Sequence, residues 1–328
     1  MRGVRRLFLL SGSKLASACA AWGLLALTGL AQAAPVKVVA SFSILGDFVR
    51  EVGGERVELT VIAGPGQDAH VYEPRPADVA AVSSADLVVV NGLHFEGFLE
   101  RLIKAGAGKA PVAALSDNAV LLPSGGGHDH AHDDHAHDDG HDHHGHYDPH
   151  AWQSVPNAIV YVRNLAQALC GVDAEGCDVY KARAQDYTAR LQALHEELRG
   201  MLGGLPAQSR TVLTAHQAFR YFGHTYGLTF LSPTGVSTDA EATAADMRRL
   251  IEQLRGQQVA AIFLERNANP RLVRRLASET GMSVGGTLYA DTLSAPGGEA
   301  DTYLDMMRHN GHTIANTVQG KAAGDAGQ

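Results

Sequence analysis

The chain has 328 residues, long enough for two domains, and a formal charge of −8 from 35 acidic and 27 basic side chains. That balance argues against nucleic acid or an anionic membrane surface as a partner. It suits a protein that attracts cations, although a solvated acidic surface accounts for net charge equally well. At the start, Arg2, Arg5, Arg6 and Lys14 surround the onset of an apolar run from Ala16 to Leu30. The run closes on Ala31-Gln32-Ala33, which completes the three parts of a secretory signal. It is shorter than the ~20 residues a spanning helix needs. Cys19 makes a poor lipobox, because Ala16 stands where Leu is usual and most of the apolar run follows the cysteine. Residues 1–33 therefore read as a cleaved leader, and export to the periplasm as a soluble protein is expected. Its removal leaves 295 residues and takes the charge from −8 to −12.

Short apolar strands then alternate with helical stretches. Val36–Phe42, Val57–Ala63, Leu87–Asn91 and Val112–Leu115 read as strands. Ile44–Val52, Pro76–Ser83 and Phe95–Ala105 read as the helices between them. The strands are continuous Val/Ala/Leu runs without polar alternation, as expected when helices cover both faces of a parallel sheet. The second half repeats the scheme, with strands at Thr211–Ala215, Leu228–Leu231, Ala260–Leu264 and Ser283–Leu288 and helices at Asp246–Gln257 and Pro270–Thr280. Between the halves, Asp178–Leu202 places Tyr187, Leu191, Leu194, Leu198 and Leu202 on one helical face. The expected fold is α/β: two doubly wound lobes joined by one long, stiff helix. The boundaries are an N-terminal lobe at 34–177, a connecting helix at 178–203 and a C-terminal lobe at 204–328.

Two cysteines, Cys170 and Cys177, remain after the leader and are flanked by glycines. In an oxidising compartment they read as a disulfide, since one pair supplies only two ligands to any metal. Residues 124–147 change composition abruptly. His128, His130, His132, His135, His137, His141, His143, His144 and His146 alternate with Asp, Ala and Gly. With no apolar residue larger than Ala before Tyr147, this loop cannot bury a core and should be disordered without metal. Imidazole chemistry makes it a set of accessory zinc sites, or a solvated linker that binds metal incidentally.

Four further segments each carry a candidate ligand near a strand end. These are Gly64-Pro-Gly-Gln-Asp-Ala-His70-Val-Tyr-Glu-Pro, Tyr147-Asp-Pro-His150-Ala-Trp, Thr214-Ala-His216-Gln-Ala-Phe and Leu288-Tyr-Ala-Asp291. Ligands of open α/β sheets bind beyond the carboxyl ends of the strands. Two facing lobes would thus bring two ligands each to a shared cleft. Taken singly, His70 is a loop side chain, His150 a turn residue, His216 a buried histidine and Asp291 a helix cap. Together, three imidazoles and one carboxylate fit a tetrahedral Zn²⁺ with no place kept for a catalytic water. Glu73, three residues past His70, is a candidate for the surroundings of the metal or for binding it in an alternative state. His94, His195, His224, His309 and His312 match none of these segments, and His195 reads as part of a solvated helix face.

In order and spacing, these four segments resemble the cluster A-I metal-binding solute-binding proteins of ABC importers, over Val36 to about Gly311. The likeness is to the zinc-binding members, because manganese-binding relatives tend to carry a carboxylate where His216 stands. The resemblance implies a metal site between two lobes and delivery to a membrane permease driven by a cytoplasmic ATPase. A His-rich loop also commonly lies where residues 124–147 do. The Cys170/Cys177 pair departs from the pattern, since it is not where a C-lobe disulfide of some zinc-binding relatives is expected. The function expected is high-affinity periplasmic Zn²⁺ capture by a monomer, with loading by a periplasmic zinc donor left open. Its alternatives are a Mn²⁺ or Fe²⁺ importer component and a stand-alone zinc buffer. A zinc hydrolase is disfavoured, because no His-Glu-x-x-His segment and no Gly-x-Ser-x-Gly elbow appears.

Overall fold

The computed structural model describes residues 34–106, 109–124, 147–239, 243–256 and 259–320. The leader and the histidine tract lie outside these residues. In the first lobe, β1 (Val36–Phe42), β2 (Val57–Ala63), β3 (Leu87–Val90) and β4 (Val112–Ala114) form a parallel sheet in the order β2-β1-β3-β4. Helices α1 (Ser43–Gly53), α2 (Pro76–Ser84) and α3 (Leu99–Gly106) connect them. Six of the seven β1 residues are buried, the physical counterpart of its unbroken apolar run. Helix α3 begins four residues later than the sequence suggests. Gly92, Leu93 and His94 all have left-handed backbones (φ 83°, 56° and 59°), and that tight reversal turns Phe95 and Glu96 into the core before the helix can start.

Two elements follow that sequence patterning did not supply: a short 3₁₀ turn at Ala151–Gln153 and the 18-residue helix α4 (Val155–Val172). Helix α5 (Cys177–Gly203) is the long connector, 27 residues and so about 40 Å. Its buried stripe, Tyr180, Ala184, Tyr187, Leu191, Leu194, Leu198 and Leu202, packs on α1 and α4 at one end. At the other end it meets α6 (Arg220–Tyr226) and α9 (Tyr303–Val318). The Cys170–Cys177 disulfide forms and ties the end of α4 to the start of α5.

The second lobe repeats the first, with β5 (Thr211–Leu213), β6 (Thr229–Leu231), β7 (Ala261–Glu265) and β8 (Val284–Leu288) in the order β6-β5-β7-β8. Helices α7 (Ala244–Gly256) and α8 (Pro270–Thr280) flank it. One buried cluster runs from Val38 and Phe48 through Tyr187 and Leu198 to Phe222 and Tyr303, so the lobes share a core. Buried hydrogen bonds pin the two lobes where the loop after β8 crosses between them. Trp152 Nε1 donates to Ala290 O (3.0 Å), Leu293 N to Ser43 Oγ (3.0 Å) and Tyr303 N to Asp47 Oδ2 (2.9 Å). Among the described residues, no helix is long and apolar enough to cross a membrane.

Candidate metal centre

In each sheet the connection direction reverses beside the first strand, between β1 and β3 and between β5 and β7, which is where such folds form a ligand crevice. His216 lies just past β5, and Glu265 is the last residue of the neighbouring β7. His70 follows β2, His150 ends the long excursion after β4, and Asp291 follows β8. Each histidine backbone is held by a carboxylate. Asp68 Oδ1 accepts from His70 N (2.9 Å), and Asp148 Oδ1 accepts from His150 N (3.0 Å). Both are Asp-x-His turns, in which the aspartate bonds the backbone two residues on. For His216 the holder comes from the next strand: Glu265 Oε1 accepts from Ala215 N (2.6 Å) and His216 N (3.0 Å).

Two of these carboxylates also orient the rings. Asp148 Oδ1 lies 2.8 Å from His150 Nδ1, and Glu265 Oε2 bonds His216 Nδ1. With Nδ1 carrying the proton toward the carboxylate, Nε2 is left as a free acceptor, the tautomer a metal needs. The Nε2 atoms then converge. His216 Nε2 is 3.1 Å and His70 Nε2 3.7 Å from Asp291 Oδ2, and His150 Nε2 is 3.4 Å from Asp291 Oδ1. One donor atom from each of the four residues lies within 4.8 Å of every other. Tetrahedral ligands at Zn–N distances near 2.0–2.1 Å stand about 3.3 Å apart, so the observed spacings bracket a bound ion.

The site is dry. His150, His216 and Asp291 are buried, and the His70 ring packs edge-on to Phe95 (centroids 4.6 Å apart), which in turn meets Trp152 edge to face (4.7 Å). His70, His150 and His216 Nε2 and Asp291 Oδ1 are buried with no hydrogen-bond partner. Native structures rarely leave such atoms unsatisfied, and a cation bound to all four resolves the whole set at once. Burial pushes the His70 imidazole down to about 3. Burial opposes charging His216 too, but Glu265 and Asp291 together carry it well above the ordinary histidine value. Asp291 is likewise penalised by burial, and the surrounding imidazoles hold it well below the usual carboxylate range. The anion is thus in place before any metal arrives.

A family model described as "ZnuA: Zinc-uptake complex component A periplasmic" matches residues 38–317. The chain belongs to the ZnuA family. This ZnuA-family chain is 32% identical over 281 residues to the manganese-binding lipoprotein MntA of Halalkalibacterium halodurans, covering 86% of this chain and 88% of that one. It is also similar to the solved periplasmic zinc-binding protein TroA of Treponema pallidum, with a TM-score of 0.75 and 29% identity over 87% and 99% of the two chains. Against the manganese-bound periplasmic metal-binding protein of Candidatus Liberibacter asiaticus, the TM-score is 0.73 at 27% identity over 86% and 98%. The relatives of this ZnuA-family protein thus divide between metals. Family membership makes it a metal-binding solute-binding protein of an ABC importer without deciding the ion.

The remaining sequence candidates separate cleanly. Glu73 is exposed and outside the ligand cluster, and His94 and His224 are exposed. His195 does not sit on a fully solvated face: it is half-buried, with Nδ1 3.3 Å from Tyr226 Oη on α6. The accessory histidines lie outside the described residues, but both ends of their segment are visible. Pro123 bridges Tyr147, Asp148 N donates to Leu122 O (2.9 Å), and Tyr221 Oη donates to Asp148 O (2.7 Å). The carboxylates that hold these histidines were not assigned from sequence, although Asp-x-His at both 68–70 and 148–150 was a readable signal for two of them.

Proposed function

We propose that this protein captures Zn²⁺ in the periplasm at His70, His150, His216 and Asp291 and hands it to the permease of an ABC importer. The observation that carries this reading is the donor set: three imidazole nitrogens, all unpartnered and convergent, with a single carboxylate. Nitrogen-rich tetrahedral sites favour zinc over the harder Mn²⁺, which prefers oxygen. Four protein donors fill the coordination sphere, so the site holds the ion instead of activating a water on it. The histidine tract serves as an accessory, raising local zinc concentration. Manganese is the second reading, supported by the likeness to MntA.

The deciding experiment is a chelator-competition titration of the protein without residues 1–33 and 125–146, with Mn²⁺ as rival. The Pro123–Tyr147 bridge lets the cut ends rejoin without moving the cleft. One tight zinc equivalent that excess Mn²⁺ fails to displace supports the reading. Displacement by Mn²⁺ moves the assignment to manganese, and absence of any tight ion overturns the four-ligand site.

A further inference from the structure

The reversal after β3 is strained, since Leu93 and His94 hold left-handed backbones (φ 56° and 59°) without being glycine. Such conformations are sparsely populated and persist where the surroundings over-determine them. Here the fastening is a buried carboxylate. Glu96 Oε1 accepts from Asn91 N (2.6 Å) at the start of the reversal and from Ser41 Oγ of β1 (2.6 Å). Asn91 and Glu96 are both buried, and burial raises the Glu96 carboxyl above its ordinary value against those hydrogen bonds. A strained turn and a desolvated acid both cost the fold stability, and here they stand together at the β1/β3 switch point, beside the metal centre.

This turn supports both histidines of the first lobe. Asn91 Nδ2 donates to Pro149 O (3.0 Å), the carbonyl just ahead of His150, and its Oδ1 accepts from Tyr161 Oη (2.6 Å). Phe95 presents its ring to both imidazoles, with centroids 4.6 Å from His70 and 5.8 Å from His150. Gly97 lies against the His70 backbone, where a Cβ would stand 3.7 Å from the carbonyl oxygen. Carboxylates orient the rings of His150 and His216, but no hydrogen bond orients the His70 ring among the described residues. Its orientation is left to packing on Phe95.

We propose that Asn91 and Phe95 are positioning residues of the metal centre: the turn between them fixes the separation of His70 and His150, and that fixed separation favours Zn²⁺ over Mn²⁺. The inference rests on the metal-capture reading above and gives it a source of selectivity beyond donor type. Zinc asks for tetrahedral donors with nitrogens near 2.0–2.1 Å. Manganese is larger and takes more oxygen donors, water included. Donors held rigidly at the tetrahedral spacing suit the first ion, whereas donors free to spread accommodate the second. Asn91 and Phe95 each fasten one histidine to the same strained turn, so neither ring can drift without the other.

The test measures Zn²⁺ and Mn²⁺ affinities by chelator competition in the parent, Phe95→Leu and Asn91→Ala, with thermal melts of the metal-free proteins alongside. Zinc affinity should fall by about tenfold or more in both variants, as when partners behind metal ligands are removed. Manganese affinity should fall less, so that the ratio of the two narrows. Asn91→Ala also leaves the buried Tyr161 hydroxyl without its acceptor and lowers stability. Phe95→Leu keeps every hydrogen bond of the turn and an apolar side chain of related size, so it decides the matter if Asn91→Ala does not fold. Parallel loss of both metals, in step with the melting temperature, marks a merely structural role and overturns the proposal. Variants that match a tightly binding parent in both affinities overturn it too, and leave metal capture standing. A parent without any tight ion overturns metal capture at these ligands, and the positioning role falls with it.

Discussion

The two carboxylates behind the histidines should not be equivalent, and the difference follows from which oxygen does what. Glu265 divides its work: Oε1 accepts from the backbone of Ala215 and His216, and Oε2 accepts from His216 Nδ1. In Glu265→Gln the amide oxygen can satisfy the backbone pair only by turning its NH₂ toward Nδ1. That makes Nδ1 an acceptor, moves the ring proton to Nε2 and blocks the metal-binding atom. The alternative orientation leaves two buried N–H groups facing an NH₂. Either way about 1.5–3 kcal/mol of charge-assisted bonding is lost, or about 10–100-fold in zinc affinity. Asp148, by contrast, uses Oδ1 for both His150 N and Nδ1, while its Oδ2 has no hydrogen-bond partner. Asp148→Asn keeps that one oxygen in place and loses only charge, about 1 kcal/mol or roughly fivefold. Competition titrations of both variants, with folding verified by thermal melting, decide the matter. Equal losses in the two, or a Glu265→Gln loss within about twofold, would refute tautomer control by these carboxylates.

Zinc binding near neutral pH should release one proton from His216, whose imidazole is held above its ordinary value, and none from His70, already neutral down to about 3. Affinity should therefore rise with pH up to the raised His216 value and fall as pH drops, and calorimetry in buffers of different ionisation enthalpy counts the proton. Asp47 is raised to about 6 by burial, chiefly opposed by the hydrogen bond from Tyr303 N. Between pH 3.8 and 6 the folded chain binds this proton more tightly than the unfolded one, so stability falls as pH rises through that window. Asp47→Asn should raise stability by roughly 1–3 kcal/mol at pH 8 and not at all near pH 4, read from urea melts. Cys170→Ser/Cys177→Ser opens a seven-residue separation and should lower stability by about 2.5 kcal/mol on the chain-entropy model, with zinc affinity unchanged.

Much of this architecture is local in origin and therefore visible in the chain. Strands β1 and β7 announce themselves as apolar runs because both their faces are covered, whereas edge strand β2 alternates and leaves Glu58 and Thr60 exposed. The stripe of α5 repeats at helical spacing because one side of it meets both lobes. Helix α4 is harder to recognise. Its buried positions, Val155, Ala158, Tyr161, Val162, Leu165, Ala166 and Leu169, spread over a broad arc because α1 covers one side and α5 another, so no narrow stripe marks it. The donors themselves were legible as residue types at strand ends, and Asp148 and Asp68 lie two positions from the histidines they hold. Glu265 is 49 residues from His216, and nothing local separates it from any other acid that ends an apolar strand. Only the β5–β7 pairing, which sets Val212 beside Ala261 and Leu213 beside Ile262, brings it to the histidine. Candidate donor types can thus be read along the chain. Ligand tautomer is decided by topology, and a substitution at Glu265 tests the sheet order as directly as it tests the metal site.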